Sequence, residues 1–576
     1  MSQTVDGLRL PSSLSAGSYL PDSIHIPFHR RNSTVKRNKI ALSGLALLGI
    51  GGLVLAGCSS DTGGSGEETP SEGSSTAVIT TNGSEPQYGL IGSMTGETGG
   101  GKIVTSIYAG LVAYDAEGAV VNDAAEEITV DSPTHLTVKL REGTTFTNGE
   151  EVTADNFTKA WNEGAKLSNG HYGSYFFEDI EGYSAEEDSE LTGLEIVDDY
   201  TFTITLNKPA SDFAQRLGYS AYYPLPDVAF EDLEAFAQSP IGNGPYMLDG
   251  EDAWQHDVRI DLVTNPDYDG PRVAQNGGLD IVFYATQDAA YADLQGGVLD
   301  VLDAIPDSAF ETYETDLDGR TVNQPAAIFQ SLTIPEWYEH FATDEEGRLR
   351  KAAISHAINR EEITDVVFSG TRTPANDFTS PVIDGWSDSV PGSEVLEYDP
   401  ELAQELWAQA DEISPWEGEF TIAYNADGGH QTWVDATANS ISNVLGITAV
   451  GDPYPDFATL LDARDASTVG PYRAGWQADY PGLYNFLAPL YASTAGGNDG
   501  KYNNPEFDAL LAEGISATDP DEANAKFQEA QTVLFTDLPA IPLWYSNVTG
   551  GWAEGVENVV FGWDSVPIYT DITKAE

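Results

Sequence analysis

Arg473-Ala-Gly-Trp-Gln-Ala-Asp-Tyr480, followed closely by Asn485-Phe-Leu487, is the stretch on which the reading of this chain turns. Within eight residues it sets out a guanidinium, a glycine, an indole, a carboxylate and a phenol. Each has a plain structural reading. Asp479 is by default a solvated loop aspartate in a chain with 92 acidic residues, and Trp476 is by default core. Arg473 is either a group that faces a ligand or the internal partner of Asp479 or a neighbouring acid. Basic side chains number only 26, so an arginine six residues before Asp479 carries weight. Gly475 permits close backbone approach. The flat faces of Trp476 and Tyr480 accept varied side chains with little selectivity.

Outside this stretch, charge narrows the choice of partner. The formal net charge is −66, and a polyanion of this size is repelled by nucleic acid and by anionic membrane surfaces. The only cysteine, Cys58, closes the apolar run Ile40 to Ala56, with Lys36, Arg37 and Lys39 just upstream. Basic residues, a short apolar stretch, small residues and a cysteine resemble a bacterial lipoprotein signal. The run is 17 residues long and broken by Ser43 and several glycines, where a membrane span needs about 20 strongly apolar residues. That resemblance implies a signal over 1–57, a lipid on the Cys58 thiol and a chain tethered outside the cytoplasm. Residues 58–77 then read as the lipidated cysteine and a flexible tether, because Ser59 to Thr76 holds no large apolar residue.

The 519 residues from Cys58 onward carry 20 basic and 90 acidic side chains. This length predicts two or three lobes, since single cores stop growing near about 250–300 residues. With one cysteine there is no internal disulfide and no thiolate metal site. Folded structure is expected from Ala77-Val-Ile-Thr-Thr81. His135-Leu-Thr-Val-Lys-Leu140 and Tyr200 to Leu206 alternate with period two and predict half-buried strands. Asp399-Pro400-Glu401 predicts a helix start. Gly347 to Phe368 carries Leu349, Ala353, Ile354, Ala357, Ile358 and Val366 at helical spacing and predicts one helix, with Gly370 past its end.

Six segments, in order and at plausible spacing, resemble one family. They are Asn82-Gly-Ser-Glu-Pro-Gln87, Leu140 to Phe157, Pro240-Ile-Gly-Asn-Gly-Pro-Tyr246, Arg350 to Arg360, Tyr398-Asp-Pro-Glu-Leu-Ala403 and the Arg473–Tyr480 stretch. The family is that of the extracytoplasmic peptide-binding proteins of oligopeptide and dipeptide ABC importers, the family 5 peptide-binding lipoproteins. The resemblance implies an α/β, periplasmic-binding-protein-like type II fold of three lobes, with the ligand cleft between lobes I and III. Lobe I is expected from 78–109, 239–324 and 536–576, lobe II from 110–238, and lobe III from 325–535.

It also implies roles. Asp479 falls where the family clamps a peptide's α-ammonium, Arg473 where it meets ligand carboxylates, and Trp476 and Tyr480 where pockets are walled. Gly475 and Asn485 belong to the same cleft segment. His171-Tyr-Gly-Ser-Tyr175 resembles a segment that brings Tyr172 to the ligand. Implied partners are an oligopeptide and an ABC permease with its ATPase subunits. The membrane is met through the lipid alone, and a monomer without cofactor is expected. Within the same fold the ligand could instead be an oligosaccharide or a metal chelate, or a single peptide pheromone sensed by a receptor.

Two motifs are decoys. Gly96-Glu-Thr-Gly-Gly-Gly-Lys102 mimics a P-loop, but Ile103 stands where Mg²⁺ needs a hydroxyl, and the segment reads as a flexible glycine loop near the cleft mouth. Asn265-Pro-Asp-Tyr-Asp-Gly270 starts like an EF-hand, but Asn276 replaces the bidentate glutamate, so a structural turn is expected. No histidine pair has metal-ligand spacing and no Gly-x-Ser-x-Gly elbow occurs, so nothing supports catalysis.

Overall fold

The computed structural model describes residues 76–426, 429–455 and 457–575. Cys58, the signal and nearly all of the tether lie outside the described residues.

Two 13-residue strands, Thr321–Thr333 and Ala540–Trp552, pair antiparallel and form the middle of a twelve-stranded sheet. On one side follow Val301–Leu302, Val78–Gly83, Gly278–Phe283, Arg259–Thr264 and Tyr246–Leu248. Val78–Gly83 runs parallel to Gly278–Phe283 in register from Val78 opposite Gly278. The first strand and the region after Pro240 thus share one half of the sheet, next to Ala540–Trp552. On the other side lie Tyr472–Gln477, Glu419–Asn425 and Thr448–Tyr454. The pairing of the two long strands slips between Pro325 and Phe329. A proline has no N–H for the ladder, so an irregularity beside it is expected.

A separate four-stranded antiparallel sheet is ordered Ala125–Ser132, His135–Leu140, Thr201–Thr205, Leu194–Asp198. The predicted alternation is realised: Leu136, Val138, Leu140, Phe202 and Ile204 are buried. Helix Ala154–Ala165 supplies Phe157 and Trp161, both packed against Phe202. That helix opens with a reciprocal cap between Thr153 and Asn156. Likewise Asp399 caps helix Pro400–Ile413 through the N–H groups of Glu401 and Leu402.

Two expectations are corrected. Gly347 to Phe368 is not one helix but two, Glu345–Ala357 and Arg360–Val366. Asn359 intervenes as an N-cap, accepting from the Glu362 N–H at 3.2 Å. The break moves Val366 to the surface, where it is 71% exposed. Nor is Gly96–Lys102 a flexible loop. Thr98 begins a ten-residue helix to Ile107, and the Glu97 carboxylate accepts the Gly100 N–H at 2.9 Å and stays close enough that a Cβ on Gly100 would stand 2.6 Å from it. Gly96, Gly99 and Gly100 are there for close approach. The Asn265 turn is structural as expected: its side chain accepts the Asp267 N–H and donates to the Gly244 carbonyl.

Candidate binding cleft

Strand Tyr472–Gln477 pairs with Thr321–Thr333 on one edge. On its other edge it meets Glu419–Asn425 only at Tyr472, opposite Ala423. The Ala478 N–H donates to the Ala327 carbonyl at 3.0 Å, which fixes the alternation of the antiparallel ladder. Ala474 and Trp476 therefore turn their backbone groups toward the paired strand, while Gly475 and Gln477 present theirs at an edge that no described strand covers. Both residues are exposed. A Cβ on Gly475 would stand 3.1 Å from the Phe329 carbonyl, so a small residue suits the position.

At the end of this strand the chain turns into helix Leu483–Tyr491, whose Asn485 organises the turn. Its Oδ1 accepts the Trp476 indole N–H at 3.1 Å and the Asp479 N–H at 2.9 Å. Its Nδ2 donates to Asp479 Oδ2 at 3.0 Å. Asn485 is thus buried and holds Asp479 rather than facing outward. Burial pushes the Asp479 carboxyl up to about 6, and the Asn485 hydrogen bond only partly opposes this. Among the described residues Asp479 has no ion-pair partner, and its charge acts on nearby neutral phenols. Burial first, and then the negative charge of Asp479, hold the Tyr219 phenol well above its ordinary range. Tyr114 is raised in the same sense, by burial and neighbouring phenols ahead of Asp479.

Asp479 opens onto a cavity of about 700 Å³ walled by Tyr114, Tyr219, Tyr223, Trp563 and the start of helix Thr98–Ile107. The Tyr114 and Trp563 rings meet edge to face at 5.5 Å. A smaller cavity of about 200 Å³, lined by Arg473, Gly475, Trp476 and Phe457, lies along the same strand. The open edge at Gly475 and Gln477 runs between the two.

The other sequence-predicted residues divide. Arg473 is not brought to Asp479; its Nε donates to Asn425 Oδ1 at 2.8 Å and its guanidinium lies 4.6 Å from the Phe457 ring centre. Tyr480 is placed away from both cavities: it is 4% exposed, its hydroxyl donates to Asp212 Oδ2 at 2.6 Å, and the Arg216 guanidinium lies 5.6 Å from its ring centre. It is a packing residue that ties 212–216 to 480–484, a correction to its expected place in a pocket wall. Tyr172 is 57% exposed and its ring covers Gly96 at the rim of the large cavity. Tyr114, Tyr219, Trp563 and Asp564 were not read from sequence as site residues. Only Tyr219-Ser-Ala-Tyr-Tyr223, with three tyrosines in five residues, offered a signal.

A family model, bacterial extracellular solute-binding proteins, family 5 middle, matches residues 119–498, about two thirds of the chain. The chain belongs to that family. It is a solute-binding protein and not an enzyme. Among similar proteins is the oligopeptide-binding protein OppA of Bacillus subtilis (strain 168), 24% identical over 535 residues, spanning 88% of this chain and 94% of that protein. Another is the probable deoxycholate-binding periplasmic protein YgiS of Escherichia coli (strain K12), 27% identical over 467 residues, spanning 77% and 83%. The crystal structure of Haemophilus influenzae OppA in complex with RPPGFSPFR superposes with a TM-score of 0.67 at 23% identity, covering 87% of this chain and 99% of that one. The fold of this family 5 member is therefore the mixed α/β fold of those binding proteins. Among the described residues no helix is long and apolar enough to cross a membrane.

Proposed function

We propose that this protein captures oligopeptides outside the cytoplasm by lobe closure and delivers them to an ABC permease, whose partner subunits hydrolyse the ATP. The observation that carries this reading is a poorly solvated, partly exposed carboxylate without an ion-pair partner among the described residues, Asp479, standing at the end of an open strand edge. An extended peptide adds to such an edge through its main chain, which gives affinity without side-chain selectivity. Its α-ammonium then meets Asp479 in a charge-assisted hydrogen bond. The remainder runs along Gly475 and Gln477 toward the cavity lined by Arg473, where a ligand carboxylate is accommodated. Tyr114, Tyr219 and Trp476 supply flat walls, and Tyr172 covers the rim.

Closure would move lobe III (325–535) against lobe I (78–109, 239–324, 536–576), with lobe II (110–238) beside them. The slipped pairing near Pro325 supports a hinge on the long strands. A lipid on Cys58 would hold the monomer at the outer face of the cell membrane. The name of the deoxycholate-binding relative favours a second reading, a non-peptide solute in the same cleft. That ligand, having no amine, leaves Asp479 without a role.

Calorimetric titration separates the two. Mixed tri- to hexapeptides bind saturably and a bile acid or an oligosaccharide does not; the reverse result sinks the peptide reading. Peptide affinity also depends on pH in a direction that follows from Asp479. The ammonium needs an ionised partner, so the complex lowers the carboxyl pKa below the value of about 6 in the free protein. Affinity is then full above pH 6 and falls by up to about tenfold per unit as pH drops below it. It falls again above roughly pH 8 as the peptide amine loses its proton. A flat profile between pH 5 and 7 would contradict the assignment.

A further inference from the structure

Asn485 holds Asp479 from within its own helix, by accepting its N–H and donating to its carboxylate. The residues that follow Asp479 are held from elsewhere. The Tyr480 hydroxyl donates to Asp212 Oδ2 at 2.6 Å, and Gln215 Nε2 donates to the Pro481 carbonyl at 2.7 Å. A Cβ on Gly118 would stand 3.0 Å from the Pro481 Cβ. Under the lobe assignment proposed above, 118 and 212–216 lie in lobe II and 479–482 in lobe III. The turn that carries the clamp is thus gripped across a lobe boundary.

The grip is firm on the lobe II side. Asp212 Oδ1 accepts from Arg216 Nη2 at 2.7 Å, and Arg216 Nη1 donates to Asp179 Oδ2 at 2.8 Å. The guanidinium lies 5.6 Å from the ring centre of Tyr480 and 5.7 Å from that of Tyr484, which adds cation–π attraction to the hydroxyl bond. Asp212 and Arg216 are about nine-tenths buried, where removing one partner of a hydrogen-bonded ion pair is costly. The same segment builds the cavity beside Asp479. The Gln215 carbonyl accepts the Tyr114 hydroxyl at 2.7 Å, and both Tyr114 and Tyr219 line that cavity.

A charge-assisted hydrogen bond to an ammonium is directional, and a binding group must be held within about 0.5 Å by neighbours that are themselves locked. We infer that Asp212, Gln215 and Arg216 are positioning residues for Asp479, holding the 480–482 turn so that the carboxylate meets the peptide's α-ammonium. The inference rests on the peptide reading above and adds that the amine is read only while lobe II is docked on lobe III. A network that served stability alone would weaken the binding of every ligand equally. One that positions Asp479 weakens only ligands with a free amine.

Calorimetric titration with tetra-alanine and N-acetyl-tetra-alanine reads the difference. The wild-type protein should prefer the free amine by roughly a hundredfold. Tyr480→Phe removes only the hydroxyl and keeps the ring beside Arg216. It should cut that preference to about tenfold by weakening the free-amine form alone, a loss of the size of one hydrogen bond to a charged group. Gln215→Met deletes the donation to Pro481 at similar volume and should lower the preference several-fold, which keeps the inference testable if Tyr480→Phe does not fold. Ser211→Ala removes the donation of Ser211 Oγ to the Gly514 carbonyl, a contact between the same two lobes away from the turn, and should leave the preference unchanged. Equal weakening of both peptides by Tyr480→Phe and Gln215→Met, or of neither, overturns the inference, as does an equal fall in preference in Ser211→Ala. Wild-type protein that holds neither peptide, or both alike, overturns the peptide reading itself.

Discussion

Asp479→Ala weakens the binding of a free-amine peptide by roughly a hundredfold or more, while Asp479→Asn makes the ligand-free protein more stable. The first effect follows from leaving a buried ammonium without its counter-charge, which typically costs about 2–5 kcal/mol. The second follows from the sign of the carboxyl shift. In the folded protein the Asp479 pKa is raised from 3.8 to about 6, so its favourable contribution is confined to low pH, below the unfolded value. As pH rises through 6 the group must ionise in a poorly solvated place, and stability is lost. Replacement by asparagine removes that ionisation, and Asn485 Nδ2 still finds an acceptor. The gain at pH 7 is up to about 2 kcal/mol, discounted for the partial exposure of the residue. Calorimetric titration and urea unfolding of the two variants check the pair of effects. Loss of both affinity and stability would mean that Asp479 is structural.

Gly242→Ala destabilises the protein by about 3 kcal/mol or more, whereas Gly101→Ala is stabilising by about 0.5–1 kcal/mol. A Cβ on Gly242 would overlap the carbonyl oxygen of Ile107, a backbone atom that no rotamer change can move aside. That carbonyl is already committed, accepting the Gly244 N–H at 2.9 Å, and Asn243 clamps the next turn by bonding both the N–H and the carbonyl of Ala109 at 3.0 Å. Position 242 thus fixes how the chain re-enters the sheet before Tyr246–Leu248. Gly101, by contrast, sits inside helix Thr98–Ile107 with nothing within 4 Å of its would-be Cβ. Urea midpoints of the two variants decide it, and equal destabilisation would show that the glycines serve only chain flexibility.

How much of this was legible beforehand depended on whether the signal was local. His135–Leu140 alternates because one face of its sheet is buried, so its strand was readable residue by residue. Asp399-Pro400 is a cap whose partners lie within three residues, and it too was readable. The break at Asn359 was not, because helices Glu345–Ala357 and Arg360–Val366 keep apolar residues at nearly continuous spacing across it. Only the buried guanidinium of Arg360, which donates to the carbonyls of Pro542 and Leu396, shows why the second helix must start anew. Three glycines after Glu97 read as a loop, since propensity argues against a helix there. Tight packing against Ser84 and the Glu97 cap overrides it.

In the site, the family motif pointed to Asp479, Trp476 and Asn485, which the structure joins through one asparagine. It misled for Tyr480, because its neighbour in space, Asp212, comes from a segment 268 residues away. Asp564 had no sequence signal at all. One aspartate among 92 acids is distinguished only by its place on the cavity wall, which is a property of the folded chain.

The most direct test of the central claim compares one peptide with and without an N-acetyl group on wild-type protein and on Asp479→Ala. If Asp479 holds the α-ammonium, acetylation weakens wild-type binding by roughly a hundredfold or more and changes binding to the variant little, because the partner is already gone. An acetylation penalty of the same size in both proteins, or none in the wild type, would contradict the claim.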